Sequence, residues 1–223
     1  MKIVLATRNQ GKIVELRRIL AGDGDAAHVD GPGPEVFDVV GLEEFPDAPE
    51  VPETELTFEG NALLKARAIA AYTGLPAVAD DSGLCVDVLG GMPGVLSARW
   101  SGRFGDAAGD KDRANLELLL DQLGDVAARH RTAHFACAAA FVLPSGEEHV
   151  VEGRMDGRVI EAPRGSGGFG YDPLFVPDGE SRTTAELPPA DKDAISHRGR
   201  AFRALAPVID RYRDRDRRKT PGA

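Results

Sequence analysis

Apolar runs of strand length that end in polar turns and lead into helical patterns are what most narrow the fold of this chain. KIVLA at residues 2–6 gives way to TRNQGK, after which Ile13, Leu16 and Leu20 recur on one helical face. Residues 36–42 read as a second strand, and the proline-broken acidic stretch 43–56 as the one segment that would separate two lobes. Thr57 is placed to N-cap a helix through FEGNALLKARAIAAY, with Glu59 in its first turn and Gly74 and Pro76 closing it. AVAD reads as a strand, DDSG as a sharp turn after it, and LCVDV as the next strand. An amphipathic helix is predicted from about Asp110, with Leu116, Leu119, Leu120 and Leu123 inward and Gly124 as its stop. Residues 133–143, the turn PSGE and residues 149–155 read as a hairpin, and a last helix begins near Ser196. Alternating strands and helices predict an α/β fold, and the hairpin makes its central sheet mixed, with helices flanking it.

Composition sets the outer limits. With 223 residues, 42% apolar and 28% charged, the chain has the balance of a globular protein able to bury a core without staples. No apolar run approaches the roughly 20 residues that span a bilayer, and the amino terminus turns polar too soon for a cleaved signal, so a cytoplasmic location and no membrane partner are expected. A net charge of −9 disfavours nucleic acid, and Asp214 and Asp216 interrupt the arginine-rich tail. A polyanionic ligand would have to be held by local positive groups. Cys85 and Cys137 lie in apolar strand-like runs, where core packing is the expected role. Residues 1–210 read as a single domain, and 211–223 as a charged tail that frays.

Four segments carry groups suited to chemistry. TRNQGK lies between a strand and a helix, where backbone N–H groups and Lys12 can converge on phosphate, although the same residues make an ordinary capped turn. Asp80 and Asp81 offer two adjacent carboxylates, either as a metal ligand or base facing a ligand or as an Asx turn. GSGGFGYDP combines glycines that permit close backbone approach, aromatics that can stack on a base, and Asp172, an acceptor for ring N–H groups; aromatics plugging the core are the alternative. SHRGRAF puts His197 and Arg198 in a first helical turn, where positive charge opposes the helix dipole, so the choice reads as recognition of carbonyl or phosphate oxygens or else as a solvated basic turn. Trp100 reads as half-buried packing.

Taken together, LATRNQGK, TFEGNALLKA, ADDSGLCVDVLGGMPGVLSARWSG, GGFGYDPLF and ISHRGRA resemble, in order, the inosine triphosphate pyrophosphatase (HAM1/RdgB-like) family over residues 3–206. The resemblance implies an elongated two-lobed α/β fold with a nucleotide cleft, a homodimer, Mg²⁺ as cofactor, and conversion of ITP, dITP or XTP to the monophosphate and pyrophosphate. It makes Thr7, Arg8, Asn9, Gln10, Gly11 and Lys12 a phosphate loop, Asp81 the proton acceptor and metal ligand, and Glu53 the second acidic ligand. It implies nucleotide contacts from Ser82 and Lys65, and a base site of Phe169, Gly170, Tyr171, Asp172, Lys192, His197 and Arg198. Arg8 stands where the family usually has glycine. A Maf-type nucleotide pyrophosphatase and a non-catalytic nucleotide sensor are the competing readings.

Overall fold

A computed structural model describes residues 2–8, 12–14 and 38–219. Asn9, Gln10, Gly11, Leu16 and Leu20 lie outside the described residues. Six strands, β1 (Lys2–Leu5), β2 (Asp38–Val40), β3 (Ala77–Val86), β4 (Thr132–Val142), β5 (Glu148–Val159) and β6 (Phe175–Pro177), form one sheet in the order β2-β1-β3-β4-β5-β6. β1 runs parallel to β2 and β3, with Val4 opposite Val40 on one side and Ala77 on the other, whereas β5 and β6 are antiparallel. The sheet is mixed, as the alternation of elements and the hairpin predict.

Beyond the helical start at residues 12–14, the described α-helices are α1 (Phe58–Thr73), α2 (Arg103–Ala108), α3 (Lys111–Gln122), α4 (Pro189–Ile195) and α5 (His197–Lys219). Thr57 caps α1 by accepting from Gly60 N–H, and Gly74 ends it in the left-handed conformation that a residue without Cβ adopts cheaply. Asp110 caps α3 in the same way, by accepting from Arg113 N–H. Leu116, Leu119 and Leu123 are buried as expected, while Leu120 is only half-buried.

Two expectations are corrected. DDSG is not a turn after a strand: Asp80, Asp81, Ser82 and Gly83 lie inside β3, which runs unbroken for 10 residues. A Cβ on Gly83 would collide with Ser97 Oγ and the Gly94 carbonyl, so glycine here answers close packing and not a turn. The last helix, α5, runs to Lys219. Ala201, Phe202, Leu205, Val208, Ile209 and Tyr212 are buried at a 3.6-residue period, a stripe that the surrounding arginines obscure in the sequence. The stretch 43–56 is not a boundary either. The chain forms two compact units, residues 1–81, 138–152 and 199–223 in one and residues 82–137 and 153–198 in the other, so the divisions fall within β3, β4, β5 and α5.

Each unit has its own core. In the first, Ala62, Ala66, Ile69 and Ala70 of α1 pack with Ala77, Ala79, Ala138 and Ala140 of the sheet. Small residues on both surfaces let helix and sheet approach closely, which brings polar groups on the same helical face within reach of β3. In the second, Leu84, Val86, Phe135, Met155, Tyr171, Leu174 and Phe175 enclose Leu116, Leu119 and Leu123. Cys85 and Cys137 are buried thiols, as expected. Thr57→Ala removes the α1 cap and should lower stability by about 1 kcal/mol. Urea unfolding checks this; an unchanged midpoint would show that Thr57 Oγ contributes nothing to the helix.

Candidate active site

In the first unit the site is built around two consecutive buried carboxylates. Successive strand residues point to opposite faces, and the two acids accordingly have different partners: Asp80 accepts from Lys12 Nζ at 2.9 Å, and Asp81 accepts from Asn61 Nδ2 at 2.9 Å. Asn61 is fully buried one turn before Lys65 on α1. Its Oδ1 accepts from Glu55 N–H at 2.9 Å, so one amide ties the segment carrying Glu53 to the strand carrying Asp81. Lys65 Nζ then lies 2.8 Å from Glu53 Oε1 and 3.8 Å from Asp81 Oδ1. Glu53 and Asp81 thus converge on a single positive group.

This geometry sets the electrostatics. Burial pushes the Asp81 carboxyl above its ordinary value and the nearby Glu53 charge adds to that, whereas Lys65, Asn61 and Lys12 oppose it without winning. For Lys65 burial acts against the charged form, but Asp80, Asp81 and Glu53 together outweigh it and raise the pKa. Arg8, exposed in the first loop, donates from Nη2 to the Ala48 carbonyl at 2.8 Å and so links that loop to the acidic stretch.

In the second unit, Arg198 is buried and donates from Nη2 to Ser82 Oγ at 2.9 Å. Its Cζ lies 5.5 Å from the Phe169 ring centroid and Lys192 Nζ lies 5.4 Å from it, so two cations flank a ring that is 41% exposed. His197 is also buried and stacks on Phe135 with centroids 4.8 Å apart. Burial of both residues removes the solvated-turn reading.

Asp172 and Tyr171, both expected at the base, have partners within the protein. The Asp172 carboxylate accepts from Lys192 Nζ at 2.5 Å, Phe169 N–H at 2.9 Å and Thr184 Oγ1 at 2.9 Å, so it shapes the loop. A Cβ on Gly168 would collide with that carboxylate, which is why glycine stands there. Tyr171 plugs the core and donates from its hydroxyl to the Ser97 carbonyl at 3.0 Å; burial and the nearby Asp112 raise its pKa. Of the two aromatics, Phe169 is the one displayed. Trp100 is half-buried, with Nε1 donating to Gln122. Reading the sequence missed Asn61 as the link between Glu53 and Asp81, although its place four residues before Lys65 on a helix was a usable signal.

A raised Asp81 pKa means that the folded chain takes up that proton at a higher pH than the unfolded one. Its stabilising contribution is therefore full below the ordinary carboxylate value of about 3.9 and is lost as pH rises through the raised value. Carboxyl-carbon NMR of the metal-free protein should place the Asp81 midpoint above that range, and higher still in Lys65→Met, where the opposing charge is gone. A midpoint at or below the ordinary value in both would contradict this account.

The Ham1 family model matches residues 3–208. The dITP/XTP pyrophosphatase of Streptomyces avermitilis is 60% identical over 208 residues, covering 93% of this chain and 96% of that one, and the Mycobacterium tuberculosis protein of the same name is 53% identical over 93% and 95%. Among solved structures, the nucleoside-triphosphatase / dITP/XTP pyrophosphatase of Mycobacterium abscessus is 51% identical with a TM-score of 0.70, over 92% of this chain and 98% of that one. A HAM1 protein from Coxiella burnetii, 36% identical, reaches a TM-score of 0.80 over 95% and 99%. With its mixed six-stranded sheet and a family match over residues 3–208, the chain belongs to the Ham1 family.

Proposed function

We propose that this chain hydrolyses deaminated purine nucleoside triphosphates, namely ITP, dITP and XTP, to the monophosphate and pyrophosphate. The observation that carries the reading is the convergence of Asp81 and Glu53 on one ammonium, in a chain that matches enzymes named dITP/XTP pyrophosphatase over nearly its whole length. Two carboxylates directed at one cation suit a hard divalent ion such as Mg²⁺, which keeps several waters and needs few protein ligands. Asp81 and Glu53, which meet at Lys65 Nζ, would be its protein ligands. Bound there, Mg²⁺ would neutralise phosphate charge and make water more acidic.

The residues of the chain supply the rest. Asp81, held by Asn61, accepts the proton of the attacking water. A new bond forms from that water oxygen to the α-phosphorus, and the bond from the α-phosphorus to the bridging oxygen breaks, releasing pyrophosphate. Lys12 and Lys65, with the first loop, stabilise charge as it builds on the leaving group. Phe169 offers a ring for the base to stack on, and Arg198, His197 and Lys192 supply donors for the 6-oxygen of hypoxanthine or xanthine. Adenine presents an amino donor at that position, so donors would face a donor, and a polar site left without its partner discriminates by as much as ~10⁴-fold. Ser82 fixes Arg198 for this role. The same reading makes the protein a cytoplasmic homodimer acting on the nucleotide pool, with no nucleic acid or membrane partner; among the described residues no helix is long and apolar enough to cross a membrane.

Incubated with Mg²⁺ and a panel of purine triphosphates, the purified protein should release pyrophosphate from ITP, dITP and XTP in preference to ATP. Asp81→Asn should lose about 10²-fold or more in turnover, as removal of a general base does, while still binding nucleotide. Release of orthophosphate alone, or full activity after chelation, would sink the proposal. Arg198→Ala should narrow the ratio of kcat/KM for ITP over ATP, and an unchanged ratio would exclude Arg198 from base selection.

A further inference from the structure

The exposed ring of Phe169 sits in a segment that ought to hold no fixed position. Gly165, Gly168 and Gly170 all have positive φ, at 81°, 72° and 60°. Glycines lose the most conformational freedom on ordering, so such a loop keeps one shape only if its backbone groups are tied down. Three ties meet at the aromatic. Phe169 N–H donates to Asp172 Oδ2 at 2.9 Å, and the neighbouring Tyr171 hydroxyl donates to the Ser97 carbonyl at 3.0 Å. Between them, Gly170 N–H donates to Asp112 Oδ2 at 3.0 Å.

The third tie differs from the other two. Asp172 and Tyr171 are buried and belong to the loop and to the core beneath it. Asp112 is exposed, comes from the first turn of α3 and lies 58 residues away in sequence. An acidic residue there would be expected merely to favour the helix dipole. Its carboxylate instead reaches across to the backbone N–H beside the displayed ring, and it can be altered without opening the core.

We propose that Asp112 is a positioning residue for nucleotide binding, holding the Gly170 backbone so that Phe169 presents its ring at a fixed angle to the base. The proposal rests on the base-stacking role given to Phe169 above. Asp112 touches no reacting atom, so its removal acts on binding and not on the chemical step. Losing one such hydrogen bond should raise KM about threefold to tenfold.

The test compares Asp112→Ala with Asp112→Asn. Both lose the helix-terminal charge, but only Asn keeps an acceptor oxygen for Gly170. With ITP, Asp112→Ala should raise KM by that factor with kcat within about twofold of the parent, and Asp112→Asn should restore KM. In the ligand-free protein, NMR hydrogen exchange at the Gly170 amide should speed up by about the same factor in Asp112→Ala and stay near the parent rate in Asp112→Asn. Unchanged KM with unchanged Gly170 exchange in Asp112→Ala would overturn the proposal. So would an Asn variant as impaired as the Ala variant, which would assign the effect to charge, or a joint fall in kcat and melting temperature, which would make it general loss of fold. Absence of ITP turnover in the parent would refute the functional reading instead, and Gly170 exchange would then decide the anchor alone.

Discussion

Two adjacent carboxylates in the interior of a strand are a burden that the surrounding structure must answer. Asp80 and Asp81 are both almost fully buried, and an ionised carboxylate taken out of water without partners is strongly unfavourable. The answer on one side is Lys12, at the helical start that follows the first loop. On the other it is Asn61 and Lys65, one turn apart on α1. The alanine face of α1 follows from the same requirement: a bulkier helix would hold Asn61 too far from β3 to donate to Asp81. In the first unit, the packing of small residues and the chemistry of the acidic site are one arrangement.

Asn61 illustrates why an amide is more useful here than another charge. Its two ends satisfy groups of opposite type, an Asp81 oxygen and the Glu55 N–H, so it neutralises nothing yet fixes two chain segments. Lys65 lies within ion-pairing distance of both Glu53 and Asp81, and burial together with the Glu53 charge raises the proton affinity of Asp81. The second unit follows a similar logic with different materials. Asp172 takes three donors at once and thereby organises a glycine-rich loop around its one displayed aromatic.

Much of this was legible in the chain itself. Thr57 and Gly74 bracket α1 because an oxygen acceptor at the N-cap and a residue tolerant of positive φ beyond the last turn are local requirements, met by local sequence. The hairpin and the leucine face of α3 are legible for the same reason. The motifs singled out for chemistry also bring together groups that do associate: Asp81 with Lys65 and Glu53, and Arg198 with Ser82 and Phe169.

Other features were decided only by tertiary packing. DDSG looks like a turn because its residues disfavour strands, yet it lies inside β3, where Lys12 and, from α1, Asn61 donate to its two carboxylates. Tyr171 and Phe169 are equivalent aromatics in sequence, yet a carbonyl at Ser97 draws one into the core while two cations flank the other at the surface. The partners of Asp80, Arg8 and Gly170 lie 68, 40 and 58 residues away, a separation at which no periodicity or spacing rule acts. Sequence alone determined the caps of α1, the hairpin, the sheet's mixed character and the inventory of reactive groups, because these follow from short-range sterics and patterning. Which group meets which was settled by folding, because burial in a low-dielectric interior makes every charge and amide depend on partners that the linear order does not place beside it.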